Sequence, residues 1–311
     1  MNNFLVTGAM GFIGSHWCEY LLKKNKKVIG YDINEFYPKL LKYKNFKFVK
    51  ESIIENKKIE KDILKSDMVF HFASIAEPKK YIEETEKTIV IAALASLNLI
   101  DLCKNKNIPL FFTSTSEIYG KNKKIPFSED DDRVLGSVTK KRWCYSSSKA
   151  IVEHYLHACN HSGTLDFIIV RLFNVYGPRL KGRVISDFLD KSQKNLNLTI
   201  YNGGQQTRSF TYVDDVMEAF YLLINKKDCL NQVFNVGSNS EIKIIDLAKK
   251  VQKIKKNNLK ILDKKYKSVF GSSYEDIERR VPNVEKIKKF IRWEAQTTLD
   301  DGIKKVLSYK A

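Results

Sequence analysis

The sequence predicts an α/β fold, a doubly wound parallel sheet with a smaller C-terminal lobe. Three observations predict it. Short apolar runs alternate with helical stretches through the first half of the chain. The first run leads directly into closely spaced glycines and then a helix. Residues able to do chemistry cluster where the apolar runs end, which in a parallel sheet is the ligand-binding edge.

The apolar runs at 3–7, 27–31, 46–49, 68–72, 109–114 and 165–171 read as strands. Helical stretches lie near 15–24, 59–65, 84–106 and 143–160. Such alternation argues for a parallel sheet covered on both faces. Beyond Tyr176-Gly-Pro-Arg179 the pattern is less regular, with Gly182-Arg183, Gly203-Gly204 and a charged tail, and this region should build the second lobe.

The first strand ends at Thr7 and is followed by Gly8, Gly11 and Gly14, with Phe12 and Ile13 between the last two. Glycines let backbone amides approach a pyrophosphate, and the helix N-terminus that follows favours its negative charge. The GxxGxxG spacing is one residue wider at its first gap than the GxGxxG of the dinucleotide fingerprint. The second strand ends at Asp32, 18 residues beyond Gly14. A carboxylate there suits the adenosine ribose hydroxyls and repels a 2′-phosphate, so NAD is expected rather than NADP.

Tyr145 and Lys149 stand four apart in a helical stretch and so share a face. An ammonium beside the phenol should favour the phenolate and lower its ordinary pKa of about 10. Upstream, Thr115, Ser116 and Glu117 end a predicted strand. Together these residues suit proton transfer at a sugar hydroxyl.

At 311 residues the chain can bury a large core and split into two lobes. No apolar stretch reaches the roughly 18 residues of a membrane span. The five cysteines have no paired spacing, which fits a reduced, cytoplasmic protein. Among the five histidines only His157 and His161 stand at HxxxH spacing and none at HxH spacing, and no metal site is expected. With 54 basic and 36 acidic residues the formal net charge is +18. The excess is mainly lysine spread along presumed helix faces, without interleaved aromatics. It reads as a solvated surface rather than a nucleic-acid site, and its field would attract an anionic substrate.

These motifs resemble the extended short-chain dehydrogenases/reductases, in the group of NAD-dependent nucleotide-sugar epimerases, dehydratases and decarboxylases. The likeness runs through Thr7 to Gly14, Asp32, His71 to Ser74, Thr115, Tyr145 and Lys149. It continues through Arg171 to Arg179, Gln206 to Asp215, Phe234 to Gly237 and Arg280 to Pro282. Ser52 stands where the family usually has an aspartate toward adenine. The resemblance implies a Rossmann NAD-binding domain over 1–174 and 209–238, with a nucleotide-sugar lobe over 175–208 and 239–311. It implies Gly8, Gly11, Phe12, Ile13, Gly14, Asp32, Ala73, Tyr145 and Lys149 as cofactor contacts. Tyr81, Asn174, Arg183, Tyr201, Arg208 and Arg280 are implied as substrate contacts, and Thr115, Ser116, Glu117, Tyr145 and Lys149 as catalytic residues. A homodimer is implied through the helices around Ile89–Ile100 and Tyr145–Cys159.

Ser116-Glu117 is similar to the pair in UDP-glucuronate decarboxylases, as is the loop from Ala76 to Tyr81, where Glu77 is a departure. The expected activity is oxidation at the sugar's C4 followed by loss of a UDP-glucuronate carboxylate. A 4-epimerase, a 4,6-dehydratase and, more remotely, a non-catalytic NAD-binding regulator stay open.

Overall fold

One seven-stranded sheet, all of its pairings parallel, organises the chain in the order β11-β6-β5-β4-β1-β2-β3. Its strands are β1 Asn3–Thr7, β2 Lys27–Asp32, β3 Phe46–Lys50, β4 Met68–His71, β5 Leu110–Thr115, β6 Phe167–Leu172 and β11 Gln232–Val236. The computed structural model describes residues 1–54, 57–265, 275 and 277–309. Parts of the expected C-terminal lobe, 266–274, 276 and 310–311, lie outside the described residues.

Period-two alternation sorts the strand side chains into two apolar layers. Phe4, Val6, Met68, Phe70, Phe111, Ile168 and Val170 face one layer, with Trp17 and Leu21 of α1 (Phe12–Lys23) and Val216 and Phe220 of α8 (Val213–Ile224). Leu5, Val69, Leu110, Phe112, Phe167 and Ile169 face the other. There they meet Leu99 of α5 (Ala95–Lys104) and Val152 of α6 (Cys144–His161). Burial on both faces explains why these strands read as continuous apolar runs.

Most predicted strands shift by one or two residues at an end. Two differences are larger. The seventh strand, β11, lies beyond the region where the alternation was legible. The stretch 84–106 is not one helix. It comprises α4 (Thr85–Ile89), a wide π turn over Val90–Leu94, and α5, and is preceded by the short α3 (Pro78–Glu83). Ser96 is the local cause: its hydroxyl donates to Ala92 O at 3.1 Å, taking up a helix carbonyl, and also meets His71.

A third apolar cluster stands apart, with Ile185, Phe188 and Leu189 of α7 (Val184–Gln193), Leu198 and Ile200 of β8 (Leu198–Tyr201), and Leu247 and Val251 of α9 (Ile244–Lys255). Two-stranded ladders join β8 to β13 (Ile261–Lys264) and β9 (Thr207–Ser209) to β12 (Glu241–Lys243). Strand order reverses between β1 and β4, and in sheets of this kind ligands bind at such a point, at the carboxyl ends of the strands.

Candidate active site

The turn after β1 is as tight as its glycines allow. Gly8 has φ +67°, and a Cβ there would stand 2.8 Å from the Ala73 nitrogen. A Cβ on Gly14 would sit 2.0 Å from the Gly8 carbonyl, so the first turn of α1 lies directly against the loop. No side chain fits between them, which leaves backbone amides to form the cradle a pyrophosphate needs. Phe12 and Ile13 open α1. Asp32 closes β2 and accepts hydrogen bonds from the Met10 and Asn34 amides at 3.0 and 3.1 Å. Burial raises its pKa while those amides oppose the rise. The residues present fit NAD.

Beneath the cradle a buried relay fixes the loop after β4. The Thr7 hydroxyl oxygen accepts from the Phe72 and Ala73 amides at 3.2 and 3.3 Å, and lies 2.7 Å from His71 Nδ1. His71 Nε2 lies 2.7 Å from the Ser96 hydroxyl. Burial, aided by Lys149, lowers the His71 pKa to about 3, so the ring is a neutral structural link. Nothing in the sequence motif distinguishes this role from a catalytic histidine.

Thr115 ends β5 and Ser116 and Glu117 follow it, and the Thr115 hydroxyl caps the turn by accepting from the Glu117 amide at 3.2 Å. Glu117 is 3% exposed yet sits between two guanidiniums. Arg142 Nη1 lies 2.5 Å from Oε2, and Arg280 Nη1 lies 3.2 Å from Oε1. The Tyr81 hydroxyl donates to Oε2 at 3.1 Å. Burial pushes the Glu117 pKa up, but Arg142, Arg280 and Arg183 overcome it and hold the carboxyl well below the usual range. Glu117 is therefore an ionised acceptor at any ordinary pH.

Tyr145 and Lys149 open α6 and are buried. The Tyr145 ring stacks on Tyr81 with centroids 5.3 Å apart and planes 3° from parallel. The expected lowering of the Tyr145 pKa by Lys149 is not what this structure shows. Lys149 Nζ stands 6.0 Å from the ring centroid and donates to the Thr113 carbonyl at 2.9 Å. Burial and the Glu117 charge instead push the phenol above its ordinary value, with Arg183 opposing. Burial pulls Lys149 down to about 7, against the raising pull of Glu153.

The remaining expected residues divide. Arg280 also donates to the Asn174 Oδ1 at 3.3 Å, so both reach the Glu117 group. Arg183, at the start of α7, donates across the cleft to the Ala76 carbonyl. Arg208 is buried on β9 and donates to the Thr207 carbonyl at 2.7 Å. Tyr201 ends β8, beside Lys264 of β13, in the ladder of the third cluster. Glu77 lies against the Gly182 backbone and pairs with Lys80 at 3.2 Å, so its charge is partly compensated.

Sequence reasoning gave Arg142 no role, although it stands three residues before Tyr145 and its side chain is 2% exposed. Among the described residues no group of three or more His, Cys, Asp or Glu is placed to hold a metal. No helix among them is long and apolar enough to cross a membrane.

Comparison with known proteins agrees with this geometry. The chain is 32% identical over 314 residues to the UDP-N-acetyl-alpha-D-glucosaminuronate decarboxylase of Bacillus cytotoxicus, covering 98% of this chain and 96% of that protein. It is 29% identical over 316 residues to UDP-glucuronic acid decarboxylase 1 of Xenopus tropicalis, covering 98% and 71%. Its fold matches the structure of UDP-glucuronic acid 4-epimerase from Bacillus cereus in complex with UDP-glucuronic acid and NAD. That match has a TM-score of 0.89 at 25% identity, covering 99% of this chain and 98% of the other. Residues 4–237 match the model of the NAD dependent epimerase/dehydratase family, and the chain belongs to that family of NAD-dependent nucleotide-sugar enzymes.

Proposed function

We propose that the chain decarboxylates a UDP-linked hexuronate, UDP-glucuronate first, after transient oxidation at C4 of the sugar. The observation that carries this reading is Glu117 buried between Arg142 and Arg280 beside Tyr145. That places two guanidiniums beside the proposed catalytic pair, suited to meet a carboxylate brought by the sugar. The named relatives that act on uronates support the same substrate class.

When bound, NAD supplies the hydride acceptor and returns the hydride if the reaction requires it. Gly8, Gly11, Phe12, Ile13, Gly14, Asp32 and Ala73 would hold it, with Lys149 on its ribose. Tyr145 takes the proton from the C4 hydroxyl, and Thr115 hydrogen-bonds the same oxygen. The C4 ketone turns the C5 carboxylate into a β-keto acid, whose carbon–carbon bond breaks to release carbon dioxide and an enolate. Ser116, Glu117 and Arg280 then arrange delivery of a proton to C5. Tyr81, Asn174, Arg183, Tyr201 and Arg208 bind the nucleotide sugar.

We divide the lobes at 174/175, 208/209 and 238/239; the third apolar cluster supports a second lobe, while Val284, Ile287 and Trp293 pack with the sheet and Phe210 and Tyr212 with the third cluster. The protein works as a cytoplasmic homodimer. Ile89, Leu94 and Ile151, on α4, the π turn and α6, remain 42%, 54% and 49% exposed and supply apolar surface for a partner.

The test is a panel of UDP-glucuronate, its 2-acetamido counterpart and UDP-glucose with NAD-loaded enzyme, products weighed by mass spectrometry. Loss of carbon dioxide from a uronate supports the reading. Turnover of a uronate without mass change makes the protein a 4-epimerase, and loss of water makes it a dehydratase. A panel that binds without turnover makes it a regulator.

A further inference from the structure

Lys149 holds its amine where a charge is costly. It is 1% exposed, its Nζ lies 4.5 Å from the Phe112 ring centre, and it donates to the Thr113 carbonyl at 2.9 Å. An ammonium so placed needs a counter-charge to stay protonated near neutral pH. The same helix carries one. Glu153 stands four residues beyond Lys149, as Lys149 stands four beyond Tyr145, so the three share one face of α6. Glu153 is buried, and Arg171 of β6 forks it. Arg171 Nε donates to the two carboxylate oxygens at 3.2 and 3.3 Å, and Nη2 to Oε2 at 2.6 Å. Arg171 is itself tied down, because Nη1 donates to the Tyr119 hydroxyl at 2.9 Å and to the Glu129 carbonyl at 2.6 Å. The Glu153 carboxylate therefore has a fixed place one helical turn from Lys149.

Resting on the reading of Lys149 as the residue that meets the NAD ribose, we propose that Glu153, clamped by Arg171, is a positioning residue that keeps Lys149 protonated for the cofactor. Burial drives the lysine toward its neutral form, and Glu153 is the charge that opposes it, with the balance at about 7. Arg171 shares the carboxylate and so moderates its pull on Lys149. Lys149 is thereby left poised rather than locked in its charged form. His71 of β4 and Tyr145 of α6 are the other titratable groups beside Lys149. Around Glu153 stand Arg171, Arg133 and, on α6, His157, while Tyr119 and Glu129 face Arg171.

The experiment compares the full parent chain with Glu153→Gln and Arg171→Met, with melting curves showing that each variant is folded. Carbon-13 NMR of labelled lysine follows the Lys149 side chain across pH, and Lys149→Met identifies its signal. Calorimetry follows NAD binding over the same pH range. Glu153→Gln removes the charge and keeps the shape, so Lys149 should titrate about one unit lower than in the parent. The pH at which NAD affinity falls should move down with it. Arg171→Met breaks the same ion pair but leaves the Glu153 charge, so Lys149 should titrate at or above the parental value. A pair that merely ties α6 to β6 would instead move Lys149 alike in both variants. Parental titration of Lys149 in a folded Glu153→Gln, or an NAD affinity that does not follow the shift, overturns the proposal. If Glu153→Gln does not fold, a downward shift of Lys149 in Arg171→Met overturns it. A Lys149→Met that binds NAD as the parent does would refute the reading of Lys149 on the ribose, a result distinct from any in the lysine titration.

Discussion

Tyr145 shows how a residue's neighbours, rather than its motif, set its chemistry. Its spacing to Lys149 was legible, but the lysine's effect was not, because burial and the Glu117 charge dominate the phenol. The proposed base therefore has to be activated in the assembled complex. Tyr145→Phe removes only the ionisable oxygen, so melting temperature and NAD affinity should survive. Turnover should fall about a hundredfold to ten-thousandfold, and near-parental turnover would refute the assignment. Lys149 offers a second check. Its pKa of about 7 in the fold lies far below the unfolded value of about 10.4. Between those values the unfolded chain binds one more proton, so stability rises with pH. The cost of burying the charge is full below pH 7 and fades toward pH 10. Cofactor-free Lys149→Met should accordingly resist urea better than the parent at pH 6, and its advantage should shrink as pH rises. An advantage that is flat with pH would contradict the assignment. Asp32 was legible from position alone, and it should favour NAD over NADP by about tenfold or more, about 1.4 kcal/mol, in calorimetric titration. Arg142 was not legible, because a cation in a lysine-rich chain looks like surface until its burial and its distance to Glu117 are known.

The strands were read well because both faces of the sheet are apolar and every run ends at the same edge. The helices were read less well where side chains interrupt them. Ser96 takes helix carbonyls while meeting His71, so the continuous apolar period of 84–106 concealed a π turn. The seventh strand escaped because Gln232–Val236 joins β6 across 59 intervening residues, a pairing no local period encodes. The exposed apolar side chains along α4, the π turn and α6 belong to the same scale. Placing a charge at Ile151 should split the proposed dimer, with little effect on the fold because the position faces outward. Sedimentation of Ile151→Glu as monomer and of the parent as dimer is the expected result. A parent that sediments only at 36.0 kDa would refute the dimer.

Across the whole molecule, the parallel sheet puts Gly8, Asp32, Ala73 and Thr115 along one edge, and the C-terminal segment brings Arg280 onto Glu117. The oxidation half of the chemistry was legible because its residues lie in contiguous motifs. For the second half, the resemblance named Glu117, Tyr81 and Arg280, but Arg142 and the meeting of all four were not legible, because they come together only in the fold. A formal charge of +18 adds a field that should speed capture of an anionic nucleotide sugar and weaken with salt. The central claim is that oxidation at C4 by Tyr145 drives loss of the sugar carboxylate. It is tested most directly with UDP-glucuronate isotopically labelled in that carboxylate. The NAD-loaded parent should release labelled carbon dioxide and form a UDP-pentose or its 4-keto form, and Tyr145→Phe should release almost none. Retention of the label by the parent while it turns over UDP-glucose would contradict the account.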